Sequence, residues 1–245
     1  MCDRTAVVNP PAFLATTMTR LAVNALRQAR VRRETYIGPW LPEPVDTSAD
    51  PYLGAERDAA LEFAVLLLMD KLKPNERAAY VLREAFEYRY DEIAGILQSN
   101  EPAVRQLVSR ARKRMAGERR TPASSAAQRE LLTTFIAAAR NGDMAALEKL
   151  FAADVTSMSD GNGMAGVSRR PVAGAQRVAK FLNAISARFW DGVDVQWAST
   201  NGRTSAVVRR GGAVRAVLTV SATPDGIDQV LWMFNPEKIA AVSAR

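Results

Sequence analysis

The chain has 245 residues, one cysteine and no histidine, which excludes His-based triads, imidazole general bases, the common zinc sites and an internal disulfide framework. Its 48% apolar content is enough for one large or two modest cores. The longest apolar run, FAVLLLM, is too short to cross a bilayer, and the first residues lack a basic-then-apolar leader, so a cytoplasmic location without membrane contact is expected. The net charge of +7 is concentrated in two places: five arginines and no acid lie between Arg20 and Arg33, and seven basic residues against one acid between Arg105 and Arg120. Such stripes are either polyanion contacts or solvated helix faces.

The periodicity predicts a helix from Pro11 to Arg33. Phe13, Leu14, Met18, Leu21, Ala25 and Leu26 share one stripe, with Arg20, Asn24, Arg27 and Arg30 off it. The segment YIGPWLPEPV, from Tyr36 to Val45, follows. Its prolines fix φ and remove donors, so it is neither helix nor sheet interior. A solvated linker has no need of Tyr36, Ile37, Trp40 and Leu41, so this stiff extended piece is expected to lie against protein.

A helical block runs from Ala55 to Gly117. ERDAALEFAVLLLMDKL forms its first helix, ERAAYVLREAF its second, and YDEIAGIL, the turn QSN and EPAVRQLVSRARKRM complete a helix-turn-helix layout. Asn100 is placed as N-cap and Pro102 in the first turn. At 100° per residue, Val104, Leu107, Val108, Ala111 and Met115 gather on one side. Gln106, Ser109 and Lys113 point the other way, with Arg105, Arg110 and Arg112 at the margins. Arg and Gln can pair with base edges in two places, whereas Lys and Ser more often hold phosphates. An ordinary amphipathic surface helix is the plainer reading.

After GERRTPASSAAQ, a small-residue linker, the pattern changes. Three helices are expected over AAQRELLTTFIAAARNGD, MAALEKLFAAD and AQRVAKFLNAISARFW. Strands follow over VDVQWAS, TSAVVRR, AVRAVLTVS and IDQVLWMF, with a further one over VTSMSD. Asn201-Gly202, Gly211-Gly212 and Pro224-Asp225-Gly226 between them are hairpin signals. The expected fold is thus multidomain: an all-α helix-turn-helix unit, then an α+β domain with helices on one face of a curved antiparallel sheet.

YDEIAGILQSNEPAVRQLVSRARKRM resembles region 4 of bacterial sigma factors, and the C-terminal half resembles the SnoaL-like members of the NTF2-like superfamily, a cone-shaped α+β fold. Together they resemble the extracytoplasmic-function sigma factors that carry such a fused domain. In that group the linker holds a Trp-Leu-Pro-Glu-Pro motif, here Trp40 to Pro44. The cone holds a glycine-rich loop, here Asp160-Gly161-Asn162-Gly163, and an Asn-Pro-acid-Lys motif, here Asn235-Pro236-Glu237-Lys238. The resemblance implies residues 1–35 as a remnant of sigma region 2, 36–54 as a proline-rich linker, 55–118 as the region 4-like domain and 124–245 as the SnoaL-like domain. It departs from the family in lacking the earlier part of region 2, so the chain is expected to be truncated there. The resemblance further implies promoter DNA as partner, read at the −35 element by Arg105, Gln106, Ser109, Arg110, Arg112 and Lys113, with Arg20, Asn24 and Arg27 facing −10 DNA. RNA polymerase core is the implied protein partner. It also implies that Trp40, Leu41 and Pro42 dock near Asp160, Gly161, Gly163, Asn235, Pro236 and Glu237 to regulate activity, with no cofactor, metal or catalytic residue.

Two other readings stand beside this one. A helix-turn-helix regulator that needs no polymerase could use the cone to sense a small-molecule ligand. A SnoaL-like cyclase or isomerase could use Asp160, Asp191 or Asp194 as a base with raised pKa in an apolar pocket.

Overall fold

The computed structural model describes residues 9–47, 69–117 and 123–243. The chain divides into two compact units, Met1–Thr35 with Leu68–Arg119, and Tyr36–Leu67 with Arg120–Arg245. The helix expected over ERDAALEFAVLLLMDKL lies almost wholly outside the described residues, as do Ser48 to Tyr52 and most of GERRT.

The first unit contains α1 (Pro10–Glu34), α2 (Pro74–Glu84), α3 (Tyr90–Leu97) and α4 (Glu101–Gly117). Pro74 opens α2, where a missing N–H costs nothing. At the same end the Glu76 carboxylate accepts from the Lys73 N–H at 3.1 Å. Between α3 and α4, Gln98 takes φ 52° and the Ser99 N–H returns to the Ala94 carbonyl at 2.9 Å, a left-handed helix stop that forces a tight turn. Asn100 then caps α4, its Oδ1 accepting from the Ala103 N–H at 2.9 Å. Asn100→Ala should lower the stability of this unit by about 1 kcal/mol, read from the chemical unfolding midpoint followed by helical circular dichroism. Ala79, Leu82, Ile93, Ala94, Ile96, Val104 and Val108 form the core.

In α1 the apolar stripe is not the inward face. Phe13, Leu14, Met18 and Leu21 are 54–65% exposed, and Val23 is buried instead. Arg20 Nε donates to the Ile96 carbonyl at 3.4 Å, and Arg27 Nη2 to Asn75 Oδ1 at 3.4 Å. The cation of Arg20 thus lies at the negative C-terminal end of α3, where the helix dipole favours it. Arg20, Val23 and Arg27, spaced along one helix face, turn α1 the other way.

The second unit contains α5 (Ser125–Asn141), α6 (Met144–Leu150), β1 (Phe151–Asp160), β2 (Val172–Ala173), α7 (Ala175–Trp190), β3 (Val193–Thr200), β4 (Arg203–Arg210), β5 (Ala213–Thr223), β6 (Gly226–Met233) and α8 (Pro236–Ser243). Ser124 and Asp143 cap α5 and α6 through Ala127 N–H and Ala146 N–H. The sheet order is β2-β1-β6-β5-β4-β3. Its β3–β6 part is the expected antiparallel meander, but β1 runs parallel to β6, so the sheet is mixed. FAAD, read as the end of a helix, opens β1 instead.

Strand alternation separates two cores. Ala206, Val208, Ala216, Leu218, Val220, Val230 and Trp232 face α5, α6 and α7. Within that layer Phe189 meets Trp232 edge-on at 5.2 Å, and Trp232 stacks on Phe234 at 5.8 Å. Val207, Val217, Leu231 and Met233 face the opposite way, where Leu41 of the linker and Ile239 and Val242 of α8 cover them.

Candidate DNA-reading helix and linker clasp

Helix α4 is sorted by its sequence into a buried and an open side. Val104, Val108, Ala111 and Met115 are at most 3% exposed, while Arg105, Gln106, Ser109, Arg110, Arg112 and Lys113 are all exposed. Four arginines of this helix are held by acids. Arg105 donates Nε and Nη2 to Glu101 Oε1 at 3.0 and 2.5 Å, and its guanidinium lies 4.4 Å from the Tyr90 ring centre. Arg112 donates Nε and Nη2 to Glu84 Oε1 at 3.1 and 2.7 Å. The hydrogen bond and negative charge of Glu84 raise the Arg112 pKa above its ordinary value. Arg110 lies 3.4 Å from Glu76, and Arg114 donates to the same carboxylate. Glu76 is 2% exposed, so two cations and a backbone N–H offset the cost of burying its charge. Gln106, Ser109 and Lys113 make no hydrogen bond or ion pair among the described residues. They form a row of unengaged donors along the outer face of α4. The sequence pattern identified the face but not the acids that occupy its margins, because Glu76 and Glu84 lie 38 and 28 residues from their arginines.

On α1, Arg20, Asn24 and Arg27 are exposed, and Arg20 and Arg27 are also bonded as described above. The side chain of Arg30 lies outside the described residues.

The second constellation is built on the linker. Tyr36 to Thr47 runs extended along the cone, with Pro42 and Pro44 buried and Leu41 2% exposed. Asp160, the last residue of β1, is fully buried. Its Oδ2 accepts from the Leu41 N–H at 2.7 Å and from Lys238 Nζ at 2.7 Å. Its Oδ1 accepts from the Tyr36 hydroxyl. Lys238 Nζ also donates to the Leu41 carbonyl at 2.6 Å and lies 4.1 Å from the centre of the Trp40 ring. One buried ion pair therefore grips both main-chain groups of Leu41, and the ammonium gains a cation–π contact with Trp40. Asn235 Nδ2 donates to the Tyr36 hydroxyl at 2.8 Å, and Asn235 Oδ1 accepts from the Glu237 N–H at 3.1 Å. Burial and the Asp160 carboxylate push the Tyr36 hydroxyl well above its usual pKa, so it stays a donor.

Gly161, Asn162 and Gly163 form the adjoining turn, closed by Met164 N–H to the Gly161 carbonyl at 2.9 Å. Asn162 and Gly163 have φ of 44° and 82°. A Cβ on Gly163 would lie 3.1 Å from Ile37, and one on Gly161 would lie 2.8 Å from Val167, so both glycines admit close neighbours. Pro236 starts α8 and Glu237 follows with its side chain exposed.

Further along, Asn201 of the β3–β4 turn holds the linker's trailing end. Its Oδ1 accepts from the Val45 N–H at 2.8 Å and its Nδ2 donates to the Glu43 carbonyl at 3.0 Å. Asp46 bridges Thr200 in antiparallel fashion. The sequence marks Tyr36 as part of a segment that lies against protein and Asn201 as a hairpin residue, but not the hydrogen bonds by which each holds the linker. Lys238 was legible only as the last letter of its motif.

None of the three alternative bases lies unpaired in an apolar pocket. Asp160 is spent on an ion pair and two further hydrogen bonds, and Asp191 and Asp194 are exposed. No helix among the described residues is long and apolar enough to cross a membrane.

Residues 62–115 match the model for sigma-70, region 4. The chain is 34% identical to the ECF RNA polymerase sigma factor SigJ of Mycobacterium tuberculosis, over 96% of this chain and 80% of that protein. It is 29% identical to SigG, another ECF RNA polymerase sigma factor of that organism, over 50% of this chain and 35% of SigG. The crystal structure of the M. tuberculosis extracytoplasmic function sigma factor SigJ superposes with a TM-score of 0.74 at 29% identity, covering 98% of this chain and 85% of that one. With a region 4 match over the helix-turn-helix and a likeness to SigJ that runs on through the α+β cone, the chain belongs to the extracytoplasmic-function RNA polymerase sigma factors.

Proposed function

We propose that this chain is a sigma-type initiation factor whose α4 reads the −35 element of a promoter and whose cone governs activity through its hold on the linker. The observation that carries the first part is the outer row Gln106, Ser109 and Lys113 on a helix whose opposite side is sealed into a core. Gln106 is suited to a base edge and Ser109 and Lys113 to phosphates, with Arg105, Arg110 and Arg112 flanking. Arg20, Asn24 and Arg27 on α1 supply a second cationic contact, toward −10 DNA. RNA polymerase core is the protein partner.

The second part rests on the clasp. The segment that follows α1 and precedes the helix-turn-helix in sequence is the one the cone grips through Leu41, Pro42, Trp40, Asp160, Asn235 and the turn at Gly161 and Gly163, with Pro236 and Glu237 opening α8 beside it. Closing or opening that grip changes how much chain is free between the two cationic elements.

The test is selection of duplex DNA from a random pool by the purified chain with core polymerase, followed by run-off transcription from the enriched sequence. Enrichment of a −35-like element and specific initiation are expected. A single reading helix makes few phosphate contacts, so binding without polymerase should be weak and fall steeply with salt. No association with core polymerase at low salt would overturn the proposal.

A further inference from the structure

Two of the three arginines at the margins of the reading face, Arg105 and Arg112, are already neutralised by exposed acids. Glu84 is the last residue of α2, the negative end of the helix, where a carboxylate is disfavoured. Glu101 is the first residue of α4, where the helix dipole favours a carboxylate and where the helix end would otherwise attract a DNA phosphate. Each carboxylate takes two donors from one guanidinium onto a single oxygen, Glu84 from Arg112 and Glu101 from Arg105. All four side chains are 36–59% exposed, and exposed pairs of this kind add little to folding. Glu76 is different: it is buried and caps α2, so its hold on Arg110 and Arg114 is structural.

Resting on the assignment of α4 as the DNA-reading helix, we propose that Glu84 and Glu101 are specificity-determining residues that hold Arg112 and Arg105 away from phosphates and so suppress sequence-independent binding. Non-specific affinity comes almost entirely from cations that displace counterions from the phosphate backbone. An arginine already bonded to a carboxylate must give up that partner before it can contribute. The unengaged row of Gln106, Ser109 and Lys113 carries no such cost. Discrimination between sites therefore falls to the side chains that can touch bases, while the strongest cations are kept from adding affinity for any duplex at all.

Binding of the full chain to a fluorescent random-sequence duplex across a salt series tests this. Glu84→Gln and Glu101→Gln should each tighten binding several-fold at low salt and steepen the log–log salt slope by about 0.9, the increment for one added phosphate contact. Glu87→Gln changes net charge by the same amount at an exposed residue of the α2–α3 connection, and should leave the slope unchanged. In the Arg112→Ala background, Glu84→Gln should have no effect beyond that of Glu87→Gln, and likewise Glu101→Gln in Arg105→Ala. Matching circular dichroism melts establish that the variants are folded. Unchanged slopes in both single variants, or the same gain without the partner arginine, would overturn the inference while leaving the reading helix intact. A wild-type chain that binds no duplex would overturn the DNA assignment and this inference with it.

Discussion

Replacing Lys238 with Met should destabilise the cone by about 3–5 kcal/mol, because it leaves the fully buried Asp160 charge without its cation. Three losses coincide. The carboxylate keeps only the Leu41 N–H and the Tyr36 hydroxyl, the Leu41 carbonyl loses the only side-chain donor that reaches it among the described residues, and Trp40 loses its cation. Tyr36 and Asn235 are then left bracketing an uncompensated charge. All four tryptophans of the chain, at positions 40, 190, 197 and 232, lie in the second unit. Tryptophan fluorescence during urea unfolding therefore reports this unit alone. Chymotryptic cleavage after Tyr36 and Trp40 should accelerate in parallel. The double variant Asp160→Asn, Lys238→Met should recover much of the loss, since removing both charges is far less costly than removing one. An unfolding midpoint that does not move in Lys238→Met would show that the linker is held by its apolar side chains and not by the ion pair.

Gln106→Ala and Lys113→Ala should fail in different ways. If Gln106 pairs with a base edge, its loss costs about 1–3 kcal/mol on the cognate −35 element and close to nothing on random duplex, so specificity relaxes at one position. If Lys113 holds a phosphate, its loss weakens cognate and random duplexes by the same factor and lowers the salt slope by about 1. Anisotropy titrations on both duplexes at several salt concentrations separate these outcomes. Equal losses for the two variants on both duplexes would sink the division of labour along α4. Neither side chain supports the fold, as both are exposed and unbonded among the described residues, so stability should be unaffected.

Much of this architecture is legible in the sequence because it is written in local signals. Asn100 with Pro102 marks the start of α4, and the spacing of Val104, Val108, Ala111 and Met115 marks its buried side. Asn201-Gly202 and Gly211-Gly212 mark the turns of the meander. What escapes is long-range. The parallel pairing of β1 with β6 joins residues about seventy positions apart, and no periodicity encodes it. FAAD reads as helix because alanines favour that state, yet pairing to β6 overrides the propensity. The orientation of α1 follows from Arg20 and Arg27 finding acceptors on α3 and on the first turn of α2, not from its apolar stripe. The motif letters of the clasp are readable, but the grip of Asp160 and Lys238 on the main chain of Leu41 exists only once residues 119 and 197 positions away are brought together.

That separation also orders events during synthesis. Lys238 is added 197 residues after Leu41, which at ribosomal rates of about 5–20 residues per second is a delay on the order of 10–40 s. Helices α2 to α4 are translated within that interval. A nascent chain thus carries a complete DNA-reading helix for many seconds before its linker can be fastened, and newly made molecules pass through an unfastened state that mature ones leave behind.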